Sequence, residues 1–406
     1  MSRLCFCPAT DGGYGIVRVG SDIPESQILM ASSNACGRHI SISAYLAGYS
    51  DRMSYYVMDE SEVILGVAED GVVESASKII RSRRPRILLI YVCCSTYISG
   101  LDNERLRQRV KSENPDTEVL VVDMNPVAAD THNPPAVATQ KKILGLLDFT
   151  DVRDDIVNLI GSDAAPDAEC ELYPLLKGCG VKEVKHLTLC RTYDDFLRMG
   201  KAGTNLVLSV KAMSAAKEIR NARHIPLLPT YSVDRVKDHY RRLSGSLGVS
   251  FDLDKYAKSA EDHVRKVSDM VKGMTVSVGS MATERPFDLA RSLVDYGFDV
   301  RSVFHSGISK TEKEDLEYLQ ARIPDLKVYD CGDPAMSSMV GKCGSVDIAI
   351  GFNAAYFTMA QRSVDIVQDR GLFGFYGIER LMDKIEESIE SPTDFHRQVE
   401  NANLVI

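Results

Sequence analysis

Three absences narrow what this 406-residue chain can do. No stretch reaches the roughly 18 consecutive apolar residues that a membrane-spanning helix needs, so no membrane partner is expected. There is no basic excess: 48 Lys and Arg face 57 Asp and Glu, a net charge of −9, which leaves nothing to neutralise a run of phosphates and excludes nucleic acid as the expected partner. No G-x-x-x-x-G-K-[ST] loop occurs, so ATP is not expected to bind here. The opening residues, "MSRLCFCPATDGG", lack the apolar core of a secretory signal, and the cytoplasm is the expected compartment. Tryptophan is missing too, which decides nothing.

Ten cysteines are present. A reducing compartment argues against a disulfide framework and turns attention to metal binding or catalysis. About half are expected to be small buried hydrophobes. Cys331 and Cys343, each alone near a turn, fit that description, as does Cys190 at the end of "VKHLTLC".

Apolar runs alternate with amphipathic stretches along the chain. "RPRILLIYVCC", "TEVLVVD", "VKHLTLC", "TNLVLSV", "IPLLPTY", "MTVSVGS", "DVRSVFHSG" and "VDIAIGF" read as buried strands. Helical patterns such as "NERLRQRVKSEN", "SVDRVKDHYRRLSGSLG", "RPFDLARSLVDYGF" and "GIERLMDKIEESIE" fall between or after them, with a long charged helix at 254–272. This rhythm predicts an α/β fold of three Rossmann-like domains, each a mostly parallel sheet flanked by helices. Breaks near "GSDAAPDAE" and after "LSGSLGVSF" divide the chain at 1–160, 161–265 and 266–406.

Parallel sheets place ligands beyond the carboxyl ends of their strands, which is where Cys93 and Cys94 fall. Side chains alternate along a strand, so only one of the pair is expected to face a ligand, and Cys94 is preferred. Two other sulfur-bearing stretches stand out. "LCFCPATDGGYG" carries Cys5 and Cys7 beside proline and glycine, a setting in which backbone N–H groups can approach metal-bound sulfur. "MASSNACGRHIS" carries Cys36 in a polar turn, with His39 nearby. The spacing is too wide for a zinc ribbon or a ferredoxin run. A Cys36–His39 nucleophile is a lesser alternative, because nothing beside it looks like an oxyanion site.

With these stretches the sequence resembles the nitrogenase component 1 type oxidoreductases, the group that includes nitrogenase component 1, the dark-operative protochlorophyllide and chlorophyllide reductases, and nickel-sirohydrochlorin reductive cyclase. The likeness runs through "MDESEVILGVAEDGVVESASKII", read as an acidic turn, an apolar strand and a helix, and on through "AGTNLVLSVKAMSAAKEIRNARHIPLLPTY", "KGMTVSVGSMATERPFDLARSLVDYGFDV" and "GFYGIERLMDKI". It implies that Cys7 (or Cys5), Cys36 and Cys94 ligate an interfacial iron–sulfur cluster, [4Fe–4S] or P-cluster-like. The fourth ligand would come from Cys5, Cys93 or a second chain.

The same resemblance implies a homodimer or a pairing with a paralogous subunit, as in a heterotetramer. Electrons would come from a separate ATP-dependent iron–sulfur reductase and pass to a small-molecule or tetrapyrrole substrate. A cofactor-assembly scaffold or a non-catalytic partner subunit is the alternative. Two departures matter. Ser209, in "NLVLS", stands where the nitrogenase α-subunit pattern has a cofactor-ligating cysteine, and no histidine lies between "VDIAIGF" and "GFYGIERL". No iron–molybdenum cofactor is expected in this chain. Ser209 is otherwise read as a capping hydroxyl, and "GSMATERP" as a weak candidate for holding an anion at a helix N-terminus.

Overall fold

A computed structural model describes residues 15–391 apart from 125–133 and 221, together with 394, 397 and 398. Cys5 and Cys7 therefore lie outside the described residues. Among those described, the strands form three parallel sheets. The first holds β1 (Ser26–Ser32), β2 (Met53–Val57), β3 (Ile87–Val92) and β4 (Glu118–Asp123) in the order β2-β1-β3-β4. The second holds β5 (Arg153–Ile160), β6 (Glu183–Lys185), β7 (Ala202–Val207) and β8 (Arg223–Pro226) in the order β6-β5-β7-β8. The third holds β9 (Thr275–Gly279), β10 (Asp299–His305), β11 (Lys327–Asp330), β12 (Ile348–Ile350) and β13 (Arg362–Val364) in the order β11-β10-β9-β12-β13.

In each sheet the first strand in sequence is interior, and the chain leaves it to build first one side and then the other. Such an order reverses direction at one point: between β1 and β3, between β5 and β7, and between β9 and β12. At these reversals the connections diverge to opposite faces and leave a crevice beyond the strand ends.

β3 shows why the sheets are covered on both faces. All six of its residues are buried. Leu88, Ile90 and Val92 pack with Val72, Val73 and Ala76 of the helix Ala68–Arg83. Ile87, Leu89 and Tyr91 pack with Ile40 and Ala44 of the helix Asn34–Leu46 and with Ile143 and Leu144 of the helix Pro135–Leu144. Each buried Leu or Ile contributes about 1.5–3 kcal/mol. The alternation extends one residue further: Cys93 joins the second of these clusters.

Several expectations need local revision. The segment "VILGV" is not a strand. Asp59 and Glu62 form a capping box that starts the helix Glu60–Leu65, and Gly66, in the left-handed region, ends it. "VKHLTLC" is extended only over Glu183–Lys185. The His186 ring then accepts a hydrogen bond from Thr188 N, and the chain tightens into a 3-10 turn, so Cys190 does not end the strand. The second sheet begins with β5, inside the residues 1–160 that the sequence division grouped together.

Sheets two and three share one core: Leu172, Leu176 and Tyr240 cluster with Phe375, Ile378 and Leu381 of the helix Gly374–Glu390. Glu171 is buried at that junction. Its carboxylate accepts hydrogen bonds from Phe375 N (2.7 Å) and Tyr376 N (3.1 Å) at the start of the helix, and from Tyr240 Oη (2.7 Å). No helix among the described residues is long and apolar enough to cross a membrane.

Candidate functional site

The reversal of the first sheet is where the cysteines meet. β1 and β3 run side by side in parallel with Ala31 opposite Val92, so the segments leaving them begin next to each other. After β1, Ser33 precedes the helix Asn34–Leu46, which carries Cys36 in its first turn. After β3, Cys93 takes the N-cap position of the short helix Cys94–Ile98, its carbonyl accepting from Thr96 N and Tyr97 N. The Cys93 thiol is buried, 3.7 Å from the Ala31 carbonyl oxygen and 3.0 Å from Ser95 Oγ. Cys36 and Cys94 are both half-exposed.

Burial pushes the Cys94 thiol up from its usual range, and the neighbouring Cys93 and Cys36 thiols push it further. A raised thiol is a poor nucleophile at neutral pH, since the thiolate is the reactive form. The same crowding of sulfur suits an arrangement in which a metal displaces the protons. The side chain of His39 is outside what the structure describes. Among the described residues, no group of three or more His, Cys, Asp or Glu side chains is placed to hold a metal. Cys36, Cys93 and Cys94 do not by themselves make up such a group.

Their surroundings are apolar and open. The helices Glu60–Leu65 and Cys94–Ile98 lie against each other, and Ile64 (82% exposed), Leu65 (72%) and Ile98 (74%) face solvent with Tyr97 nearby. Large exposed apolar side chains gathered in one place mark a surface that another molecule covers.

The reversals of sheets two and three open elsewhere, onto a cleft of about 900 Å³. Gly161–Asp163 follow β5, Leu208–Lys211 follow β7, and Ser280, Met281 and Glu284 follow β9. The segment 367–373 crosses the floor, and Arg18 and Gln140 come from the first unit. Gly161 has φ +102°, and a Cβ there would meet Ala212 Cβ at 2.1 Å, so only glycine lets the β5 exit pass the β7 exit.

Three carboxyls shape this cleft, Glu312 and Asp369 buried and Glu284 half-buried. Glu284 accepts from Ser209 Oγ (2.8 Å) and Val210 N (2.5 Å), while Ser209 Oγ accepts from Lys211 N (3.2 Å). The Ser209 hydroxyl is thus both cleft wall and turn cap. Glu312 accepts from Phe287 N and Ser309 Oγ, each at 3.1 Å. It therefore supplies the negative group at the start of the helix Pro286–Asp295, where the sequence had left room for an external anion. Asp369 accepts from Tyr231 Oη and Thr283 Oγ1, each at 2.8 Å. Gln368 and Asp369 both adopt positive φ (+48° and +53°), held by Gln368 N to Met281 O and Asp369 N to Ala282 O, each 2.8 Å. Burial raises all three carboxyls: Glu284 in direction, Glu312 and Asp369 to about 7.

Of the sequence-selected residues, the structure brings together Cys36, Cys93 and Cys94, and it places Ser209 in the cleft; Cys5 and Cys7 fall outside its description. Glu284, Glu312, Asp369 and Arg370 were not singled out from the sequence. They come from three separate segments, and no local motif marks them.

The family model described as nitrogenase component 1 type oxidoreductase matches residues 14–390. A solved structure named Nitrogenase Cp1 at pH 6.5 matches with a TM-score of 0.75 at 15% identity, over 96% of this chain and 94% of that one. Nitrogenase Cp1 at pH 5 matches with a TM-score of 0.63 at 13% identity, over 93% and 87%. At these identities the likeness to the solved structures is one of fold. No curated protein matches.

Proposed function

The chain belongs to the nitrogenase component 1 type oxidoreductase family, and on that premise we propose that it is a redox subunit whose Cys36 and Cys94 hold part of an iron–sulfur cluster at a contact with a second subunit. One observation carries the reading: two thiols, far apart in sequence, converge at the reversal of one sheet, beside two short packed helices that expose Ile64, Leu65 and Ile98. Cys5, Cys7 or the partner's thiols complete the ligand set. Bound there, the cluster supplies one-electron transfer. A separate ATP-hydrolysing iron–sulfur reductase is the electron donor. The rim of Ile64, Leu65 and Ile98 packs on the second subunit, identical or paralogous, and excludes water from the thiols.

The substrate occupies the cleft. Its volume suits a small organic molecule or a tetrapyrrole. The Ser209 hydroxyl is committed to Glu284, which supports an organic substrate over a metal cofactor ligated at this position. Reduction consumes protons as well as electrons. Glu312 and Asp369, near 7, and the raised Glu284 hold protons at cleft-wall oxygens where a substrate atom can take them.

Anaerobic purification with iron analysis and electron paramagnetic resonance of the reduced state tests the ligand assignment. Substantial iron is expected in the wild type, with nearly all of it lost in the Cys36→Ala, Cys94→Ala double variant. Unchanged iron in that variant, or none in the wild type, defeats the assignment.

A further inference from the structure

The cleft contains an unmatched set of polar groups that the proton-holding carboxyls do not explain. Arg18 and Arg370 both line it, on segments more than three hundred residues apart, and neither guanidinium makes an ion pair among the described residues. Arg370 Nε–H is buried without a hydrogen-bond partner. Gln140 Oε1, an acceptor lining the same cleft, is buried and unpartnered as well. A donor and an acceptor left unsatisfied in this way each cost stability, and a ligand that pairs with them recovers it.

The two guanidiniums also act on each other. Burial and the field of Arg18 both lower the affinity of Arg370 for its proton, and an anion between them relieves that repulsion. Asp22, Asp163 and Asp365 lie in the same field, and Arg52 faces Asp22. Three cations therefore stand against three acids. A guanidinium presents parallel N–H groups that match the two oxygens of a carboxylate. Met281, Ile308 and Phe373 supply apolar walls in the same cleft.

We propose that Arg18 and Arg370 receive a carboxylate of the substrate, so that the substrate of this cleft is an organic acid with an apolar body. Gln140 accepts a hydrogen bond from a neighbouring O–H or N–H of the same molecule. This inference rests on the reading of the cleft as the substrate site and names the class of substrate it takes.

Calorimetry on the full-length chain tests it with benzene-1,3,5-tricarboxylate, a flat triacid, against its uncharged triamide and inorganic phosphate. The triacid is expected to bind the wild type. The triamide and phosphate should bind at least about tenfold more weakly, and Arg370→Gln or Arg18→Gln should each weaken the triacid by about tenfold or more. Unchanged triacid affinity in both variants, equal binding of phosphate or triamide, or no triacid binding to the wild type overturns the proposal. If Arg370→Gln fails to fold by circular dichroism, Arg18→Gln, on a different segment, decides. Calorimetry reads anion binding whether or not iron is present. Loss of the cluster assignment and loss of the carboxylate receptor are therefore distinguishable.

Discussion

The reversal of the first sheet and the reversals of the other two occupy equivalent places in equivalent topology, yet they carry opposite chemistry. Beyond β1 and β3 stand thiols with an open apolar rim. Beyond β5, β7 and β9 stand carboxyls, a hydroxyl and guanidiniums around a cleft. Topology fixes where a ligand can lie; the few residues that follow each strand fix what the ligand is. The two chemistries also differ in what closes them. The cleft is walled by the chain's own segments, whereas the thiol site lies beside side chains that stay exposed.

The largest expected effect separates the adjacent cysteines. Cys94→Ala should remove most of the iron, measured after anaerobic purification. Cys93→Ala should keep it and cost about 1–2 kcal/mol of stability in chemical denaturation, because Cys93 packs in the core. The reverse pattern would exchange their roles. Next, Gly161→Ala should break the cleft and leave the thiol site intact. Its positive φ and the approach of Ala212 predict a loss of about 3 kcal/mol, with iron content unchanged.

The smallest effect is in the pH dependence. Glu312 and Asp369 are raised in the folded state, so between about pH 5 and 7 the folded chain holds protons that the unfolded chain has released. Their contribution to stability is present at the acid end of that window and is lost as pH rises through about 7. Denaturation midpoints measured across it should fall less steeply with rising pH in Asp369→Asn and Glu312→Gln than in the wild type. Parallel curves would place the protons elsewhere.

Much of the framework was legible because β3, β9 and β12 are short apolar runs buried on both faces, which leaves a plain signature. β5 begins "RDD" at an exposed end and the apolar run of β1 is only four residues between polar ends, so their apolar content did not stand out. "VILGV" misled for the opposite reason: its apolar residues Ile64, Leu65 and Val67 face solvent. At the site, period-two alternation separated Cys94 from Cys93, a purely local inference. The cleft residues were invisible because each is an ordinary polar side chain whose meaning comes from its folded surroundings: Glu284 meets Val210 and Asp369 meets Tyr231 across 74 and 138 positions.

Glu171 has a consequence for how the chain comes off the ribosome. Its carboxylate is made to meet backbone amides at 375 and 376, about two hundred residues later in synthesis. Until they emerge, the middle of the molecule carries a charge meant for burial and an apolar face awaiting Phe375, Ile378 and Leu381. A nascent chain stalled before 374 therefore leaves both the carboxylate and that apolar face without their folded partners.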